Sequence, residues 1–581
     1  MLRLLQWLVR REGLLRLLSP AFGRFQPFSA AHRRDPHATW RALREEAPAW
    51  RSRIFGTTLF TRYEDVLRIL SDSHFSTDRS GVPAMRWIAR LTRGEPEFAG
   101  LIERNLLTID GADHRRLRGL VAKAFTPRRV ERLRPRLVAP AAAPQPAAAD
   151  DPPAGGPPAS RPDVLVYLID TLRADHLGCY GYPRPTSPQI DALAAEAALF
   201  EHAIAQSSWT KASVASIFTG RWPLAHGANL RTDALAAAAQ TLAETLHHHG
   251  YATAGFVTNP NVTSAFGFDQ GFERYHYLGE TASAAEVNAA ALAWLDARPP
   301  DARPFFLYLH TLEPHAPYRP PAAFRERLAP QVPAALAAEP DAVLDAMQAG
   351  RRPVEGVLVD HLRALYDAEI AANDDAFGAL RRAFETRGRW RDLLLVLASD
   401  HGEEFYEHGN FQHGRTLHRE SLEVPLIVKL PGPPVRRRIG ERVQHVDLLP
   451  TILDAAGLPP TAGSEGRSLL PLLRGAAPGP SRPTFAYLHL DGPARAAIYD
   501  RGFKLLQQLA GGGELIHRQL YDLAGDRQER RDLAGDRPLL AGFLAARLRS
   551  RLFGPEQRLA GDAAVIDEEL RRSLEALGYL E

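Results

Sequence analysis

At 581 residues, with 45% apolar and 24% charged side chains, the chain has the composition of globular protein and room for roughly three to four domain-sized units. Its 71 basic and 68 acidic residues leave a formal charge of only +3, too balanced for nucleic acid to be the main partner. A single cysteine, Cys179, excludes an internal disulfide and any multi-cysteine metal cluster.

The first apolar segment, MLRLLQWLVRREGLLRLL, is interrupted by Arg3, Arg10, Arg11, Glu12 and Arg16. It reads neither as a membrane span, which takes ~20 apolar residues, nor as a secretory leader. The expectation is a cytoplasmic protein, with peripheral membrane contact by a basic amphipathic helix left open. Residues 20–137 read as mainly helical, through WRALREEAPAW, YEDVLRILSD and DHRRLRGLVAKAF, with FGTTLFT as a strand. Together with SDSHFSTDR and TPRRVERLRPRL, these segments resemble the N-terminal part of bacterial cytochrome P-450 monooxygenases. The resemblance implies that His114 and Arg118 correspond to haem-propionate residues, and it ends near Val138, before any haem-ligating cysteine loop. A truncated module is expected at 1–137, with no haem. The run APAAAPQPAAADDPPAGGPPAS is low in complexity and proline-rich, so 138–160 reads as a linker.

Beyond the linker, DVLVYLID has the unbroken apolar character of a strand covered on both faces, and it ends at Asp170. RDLLLVLASDHG ends the same way at Asp400 and His401. Such strands carry functional residues at their C-terminal ends. Two buried carboxylates brought together there point to a shared cation, because burying either unpaired costs several kcal/mol. Between them, SSWTKASVASIFTGRWP predicts a short buried helix beginning at Thr210 and stopping at Thr219-Gly220. A hydroxyl at a helix N-terminus lies beside unpaired N–H groups that suit a phosphate or sulfate, although on this stretch alone an ordinary Ser/Thr cap is the favoured reading. The expected cation site is Asp170, Thr210, Asp400 and His401, with the metal activating the hydroxyl. PFFLYLHTLEPHAPY adds His310, Glu313 and His315, the last expected to donate hydrogen bonds to the ester's oxygens or leaving group. His408 and His413, in EEFYEHGNFQHG, are further candidates on a compact loop. The histidines at 247–249 read as helix C-terminal cations and Cys179 as a small buried residue.

DVLVYLIDTLRADHLGCYGYPRPTSPQIDALA, the Thr210 stretch, PFFLYLHTLEPHAPY, YDAEIAANDDAFGALRRAF, SDHGEEFYEHGNFQHG, EVPLIVKLPG, VQHVDLLPTILDAAGLP and GRSLLPLLRG occur in the order seen in the sulfatase family of the alkaline phosphatase superfamily. The resemblance spans residues 161–581. It implies a doubly wound, mostly parallel α/β sheet at 161–475, a smaller C-terminal α+β subdomain at 476–581, metal-dependent ester cleavage and a covalent enzyme intermediate. Two departures matter. Thr210 stands where the family's formylglycine cysteine would, and the strand-end Asp-Asp pair is Asp170-Thr171. Threonine there resembles the phosphotransferase and phosphodiesterase-like branches. One divalent ion is expected, Zn or Mn over Ca or Mg, because an imidazole replaces carboxylate. The expected activity is hydrolysis, or transfer, of phosphate or sulfate esters on a small-molecule, glycan or lipid-type substrate. Thr210 is the nucleophile, Lys211 and His315 steady the transferring group, His413 protonates the leaving group, and His310, Glu313 and His408 contact substrate. A catalytically silent anion-binding protein and a haem monooxygenase remnant remain as alternatives.

Overall fold

The computed structural model describes residues 161–577 and 579, apart from 300–302, 480, 491, 512, 554–558, 560 and 565, together with short pieces between 41 and 71. The chain divides into two compact units, Met1–Gly155 and Gly156–Glu581. In the first, the described pieces include an antiparallel pair, Ala49–Arg51 with Thr58–Phe60, and the helix Tyr63–Ser71. The expected strand FGTTLFT and helix YEDVLRILSD overlap these pieces. Nearly all the rest of the P-450-like module, with His114 and Arg118, lies outside the described residues, as does the expected linker at 138–160.

The second unit is built on a nine-stranded mixed sheet. Its strands are β1 (Val164–Ile169), β2 (Ala198–Ile204), β3 (Ala252–Val257), β4 (Arg274–Tyr277), β5 (Phe305–Thr311), β6 (Leu394–Ser399), β7 (Glu423–Val424), β8 (Leu426–Lys429) and β9 (Arg437–Gln444). The order is β7-β2-β8-β6-β1-β5-β3-β4, with β9 also paired to β2. The central strands run parallel: β1 pairs in register with β5 on one side and β6 on the other. Strand β8 is antiparallel to both β6 and β2.

The strand composition explains the central position of β1. Its side chains alternate between two cores, Val164, Val166 and Leu168 on one face and Leu165, Tyr167 and Ile169 on the other, all buried. Only a strand covered on both faces can bury VLVYLI throughout. Helices α1 (Pro188–Ala194), α4 (Ala284–Asp296) and the 31-residue α5 (Gly356–Thr386) cover the second face. Helices α2 (Thr210–Thr219) and α3 (Leu242–His248) cover the first. His247 and His248 do stand in the last turn of α3. The segment 320–355 is helical in three short pieces, and Phe324 and Leu328 of the first pack on Ala368 and Ala371 of α5.

The smaller part is a four-stranded antiparallel sheet, β10 (Thr484–Leu488), β11 (Ala494–Asp500), β12 (Phe503–Leu509) and β13 (Leu515–Asp522), in that order. Helix α6 (Pro538–Phe553) seals one face with Ala541, Leu544 and Leu548. The last helix, α7 (Glu568–Ala576), returns to the main core through Leu570 and Leu574. Among the described residues no helix is long and apolar enough to cross a membrane.

Candidate active site

Three adjacent strand ends and one helix end define the site. Asp170 follows β1, His310 is the second-last residue of β5, and Asp400 and His401 follow β6. Because β1 lies between β5 and β6, these side chains meet above one sheet edge. Thr210 is the first residue of α2, preceded by Trp209 in an extended conformation. Gly220 ends that helix with φ 62°, the left-handed conformation that its missing Cβ permits. The helix lies wholly inside the protein, and its small polar residues let it pack closely: the Ser213 hydroxyl donates to the Asp400 carbonyl at 2.6 Å.

Thr210, Asp170, His310, Asp400 and His401 are all 0% exposed. Asp170 Oδ2 accepts from Asn259 Nδ2 at 2.6 Å and faces His310 Nε2 at 3.2 Å. Asp400 Oδ1 accepts from the backbone N–H groups of Thr171 and His401. The other oxygens, Asp170 Oδ1 and Asp400 Oδ2, are buried without any hydrogen-bond partner. Burial raises the Asp400 pKa, and the charge on Asp170 raises it further. Burial also opposes ionisation of Asp170, but His310, His315 and His401 outweigh it and hold that carboxyl below its usual range.

The His401 ring sharpens the argument. Its Nδ1 faces the Gly402 carbonyl at 3.0 Å, and a carbonyl only accepts, so Nδ1 carries the proton. With the proton on Nδ1, Nε2 of that tautomer accepts from the Thr210 hydroxyl at 3.1 Å. Asp400 Oδ2 lies 3.3 Å from that same nitrogen, lone pair against lone pair. Asp170, His310 and Asp400 present ligand atoms within 4.8 Å of one another. Orphaned carboxylate oxygens beside imidazole nitrogens are a donor set that fits a divalent cation.

The other residues singled out in the sequence fall into two groups. His413 joins the site: its ring lies 4.4 Å from that of His401 and 4.9 Å from that of His315, and Nδ1 contacts Glu403 Oε1 at 2.9 Å. His315 is present but differs in role. Its Nδ1 is bonded to the Ala316 carbonyl, so the neutral ring offers Nε2 as an acceptor, and the Tyr579 hydroxyl donates to it at 2.5 Å. Burial lowers the His315 pKa to about 4, so it carries no second proton for an ester at neutral pH. Lys211 turns away to donate to the Arg231 carbonyl at 2.6 Å, with its ammonium 3.5 Å over the Phe266 ring, and burial lowers its pKa.

Glu313 and His408 belong elsewhere. Glu313 Oε1 accepts from Ala284 N at 3.0 Å, satisfying an open N–H at the start of α4. His408 stacks on His418 with ring centres 3.6 Å apart and planes within 7°, beside Glu420 and Glu529. A metal ligated by imidazole nitrogen lies in the ring plane, and two parallel planes so spaced share no such point. Within that cluster His418 Nδ1 and Lys504 Nζ both bond Glu529, at 2.8 and 2.6 Å. Cys179 is half-buried rather than enclosed, and burial raises its thiol pKa.

Sequence reasoning missed Asn259, Glu403 and Tyr579 as contributors to the site. Asn259 has a recoverable signal, a polar residue ending the apolar run of β3. Tyr579 has none, arriving from beyond α7 by tertiary packing alone.

Residues 162–458 match the sulfatase family, and 406–554 match the C-terminal region of N-sulphoglucosamine sulphohydrolase. The chain belongs to the sulfatase family. This sulfatase-family chain is 28% identical over 293 residues to the multifunctional alkaline phosphatase superfamily protein PehA of Trinickia caryophylli, covering 42% of the chain and 54% of PehA. It is 30% identical over 196 residues to arylsulfatase K of Danio rerio, covering 33% of the chain and 37% of that protein. An ulvan-active sulfatase of Formosa agariphila is 24% identical over 356 residues, covering 56% and 67%. The chain thus spans about half of PehA and little more than a third of arylsulfatase K. Among solved structures, the phosphonate monoester hydrolase of Agrobacterium radiobacter superimposes with TM-score 0.57 at 22% identity, covering 67% of this chain and 95% of that one. The phosphonate monoester hydrolase of Silicibacter pomeroyi gives 0.54 at 21%, covering 70% and 98%. These likenesses establish the alkaline-phosphatase-like α/β fold.

Proposed function

We propose that this protein hydrolyses sulfate or phosphate esters through a covalent intermediate on Thr210, with a divalent cation at the strand ends. The observation that carries this reading is the Thr210 hydroxyl at a helix N-terminus, 3.1 Å from an imidazole lone pair and beside two buried carboxylates with orphaned oxygens. Asp170, Asp400 and His310 would hold the cation, with Thr210 and His401 at its side. Bound there, it would neutralise the carboxylates and polarise the ester. Two imidazoles beside the carboxylates favour zinc or manganese over calcium or magnesium.

In this mechanism His401 Nε2 takes the hydroxyl proton as Thr210 Oγ1 forms its bond to sulfur or phosphorus. The bond to the leaving oxygen breaks, and that oxygen receives a proton from His413. Burial raises the Glu403 pKa to about 7, so its carboxyl is a proton store beside His413 Nδ1. His413 passes on the Nε2 proton while Nδ1 takes the one from Glu403. Water then attacks sulfur or phosphorus, giving a proton to His413 Nε2 as Nδ1 returns one to Glu403; the bond to Thr210 Oγ1 breaks, Thr210 recovers its proton from His401, and the acid is released. The amide groups that open α2 suit the anion's remaining oxygens. Lys211, turned toward the 230–231 carbonyls, steadies α2 rather than the ester in this scheme.

The relatives named as acting on sulfated glycans or aryl esters make such sulfates the first substrates to offer, with phosphate diesters and phosphonates beside them. The test is a screen of 4-nitrophenyl sulfate, phosphate and phosphonate esters with Mn²⁺, Zn²⁺ or Ca²⁺, and mass spectrometry of the Thr210 peptide. Thr210→Ala is expected to abolish turnover. A folded alanine variant with full metal-dependent activity refutes the proposal, and ester binding without turnover in the wild type would assign a silent anion-binding role instead.

A further inference from the structure

The catalytic centre has a roof that the strand ends do not supply. Tyr579, just beyond α7, is 4% exposed and projects to within ring contact of three site residues. Its ring stands edge-on to Trp209, centres 5.0 Å apart, and lies 5.6 Å from His315 and 6.4 Å from His413. The leaving oxygen must reach His413, the proposed acid, so a leaving group protonated there lies beside this aromatic wall. The placement is held from both sides: the Tyr579 carbonyl accepts from Arg231 Nη1, and α7 packs against the turn Pro260–Val262.

The hydroxyl has a defined direction. Because His315 Nδ1 must donate to Ala316, His315 Nε2 can only accept, so the phenolic hydrogen points to it. The phenolic oxygen in turn faces Asn259 Nδ2 at 3.5 Å, and Asn259 also donates to Asp170 Oδ2. One chain of polar contacts therefore runs from the proposed cation ligands through Asn259 and Tyr579 to His315. We propose that Tyr579 is a positioning and specificity-determining residue of the catalytic site, fixing the His315 ring through its hydroxyl and limiting leaving-group size through its ring.

This inference rests on the reading of Thr210 as nucleophile, and two variants separate the functions of ring and hydroxyl. Tyr579→Phe keeps the ring and frees His315, while Tyr579→Ala removes both; thermal unfolding checks that each is folded. The steady-state readout compares 4-nitrophenyl sulfate with the bulkier 4-methylumbelliferyl sulfate. Tyr579→Ala is expected to shift the kcat/KM ratio by about tenfold toward the bulky ester, the discrimination a shaped apolar wall commonly gives. A merely structural role would lower both substrates alike. Tyr579→Phe is expected to keep the wild-type ratio and lose about tenfold in kcat, the scale of one neutral hydrogen bond. The same pair of esters is titrated by calorimetry into Thr210→Ala with and without Tyr579→Ala. Turnover by Thr210→Ala sinks the nucleophile reading alone, because the binding ratio still reports on the wall. An alanine ratio within about twofold of wild type in both measurements, an unaltered kcat in Tyr579→Phe, or no binding of either ester overturns the proposal.

Discussion

Replacing Asp400 by asparagine should stabilise the metal-free protein and lose much of that advantage when a cation is bound. Asp170 and Asp400 are wholly buried and lie within 4.8 Å of one another through their ligand atoms. At an effective dielectric of ~20, two unit charges at that separation repel by about 3.5 kcal/mol. In metal-free protein burial, and then this repulsion, raise the Asp400 pKa, and the orphaned Oδ2 adds the cost of an unsatisfied buried group, about 1–3 kcal/mol. Asp400→Asn removes the charge and keeps the Oδ1 acceptor for the N–H groups of Thr171 and His401. With chelator present, the variant should therefore unfold at a higher temperature than wild type. With saturating Mn²⁺ that advantage should shrink, because wild type at ~100 times its Kd gains about 2.7 kcal/mol and the variant binds the ion weakly. Calorimetric melting of both proteins in chelator and in metal reads all four states. An Asp400→Asn protein less stable than wild type in both conditions, or melting temperatures indifferent to metal in both proteins, refutes the cation-site reasoning.

Lys504→Met should destabilise the protein by about 3–5 kcal/mol in urea unfolding, since it leaves Glu529 buried without its ammonium partner. Adding Glu529→Gln should return part of that loss. Gly402→Ala places a Cβ 2.0 Å from the Glu420 carbonyl, so overpacking should cost about 1–3 kcal/mol and displace His401, lowering kcat more than it raises KM. Burial raises the Asp374 pKa to about 7, despite its bonds from the N–H groups of Gln189 and Ile190. A raised carboxyl pKa means that the folded state holds the proton more tightly than the unfolded one. Its stabilising share is full below about pH 4 and is lost as pH rises through about 7. Asp374→Asn should flatten the melting temperature against pH in that window, and an unchanged slope would contradict it.

What the sequence made legible was the part of the site carried by strong local patterns. VLVYLI and LLVLAS are buried strands whose composition forces them to the middle of a parallel sheet, so the positions of Asp170 and Asp400 follow from the strand-end rule. Helix α2 was legible because Gly220 needs a positive φ to end it. Residues a few places beyond a strand were harder, because proximity in sequence does not fix side-chain direction. Glu313 and His315 leave the same strand, yet one turns to α4 and the other to the centre. His408 and His413 share a loop and divide in the same way. His310 was assigned to substrate, but β5 pairs beside β1 and sets it against Asp170. Tyr579 was invisible because an amphipathic terminal helix reveals its buried face and not where that face docks.

The separation of these contacts along the chain has a consequence for folding. Thr171 meets Asp400 across 229 residues, Thr210 meets His401 across 191, and His315 meets Tyr579 across 264. No local segment holds two halves of the site, so each pairing must overcome loop-closure entropy before it contributes stability. During synthesis the sheet lacks its central neighbour until β6 has emerged, and the aromatic roof lacks its last member until α7 has docked. Competence for chemistry should therefore appear late and abruptly in refolding, after most of the helical signal has returned.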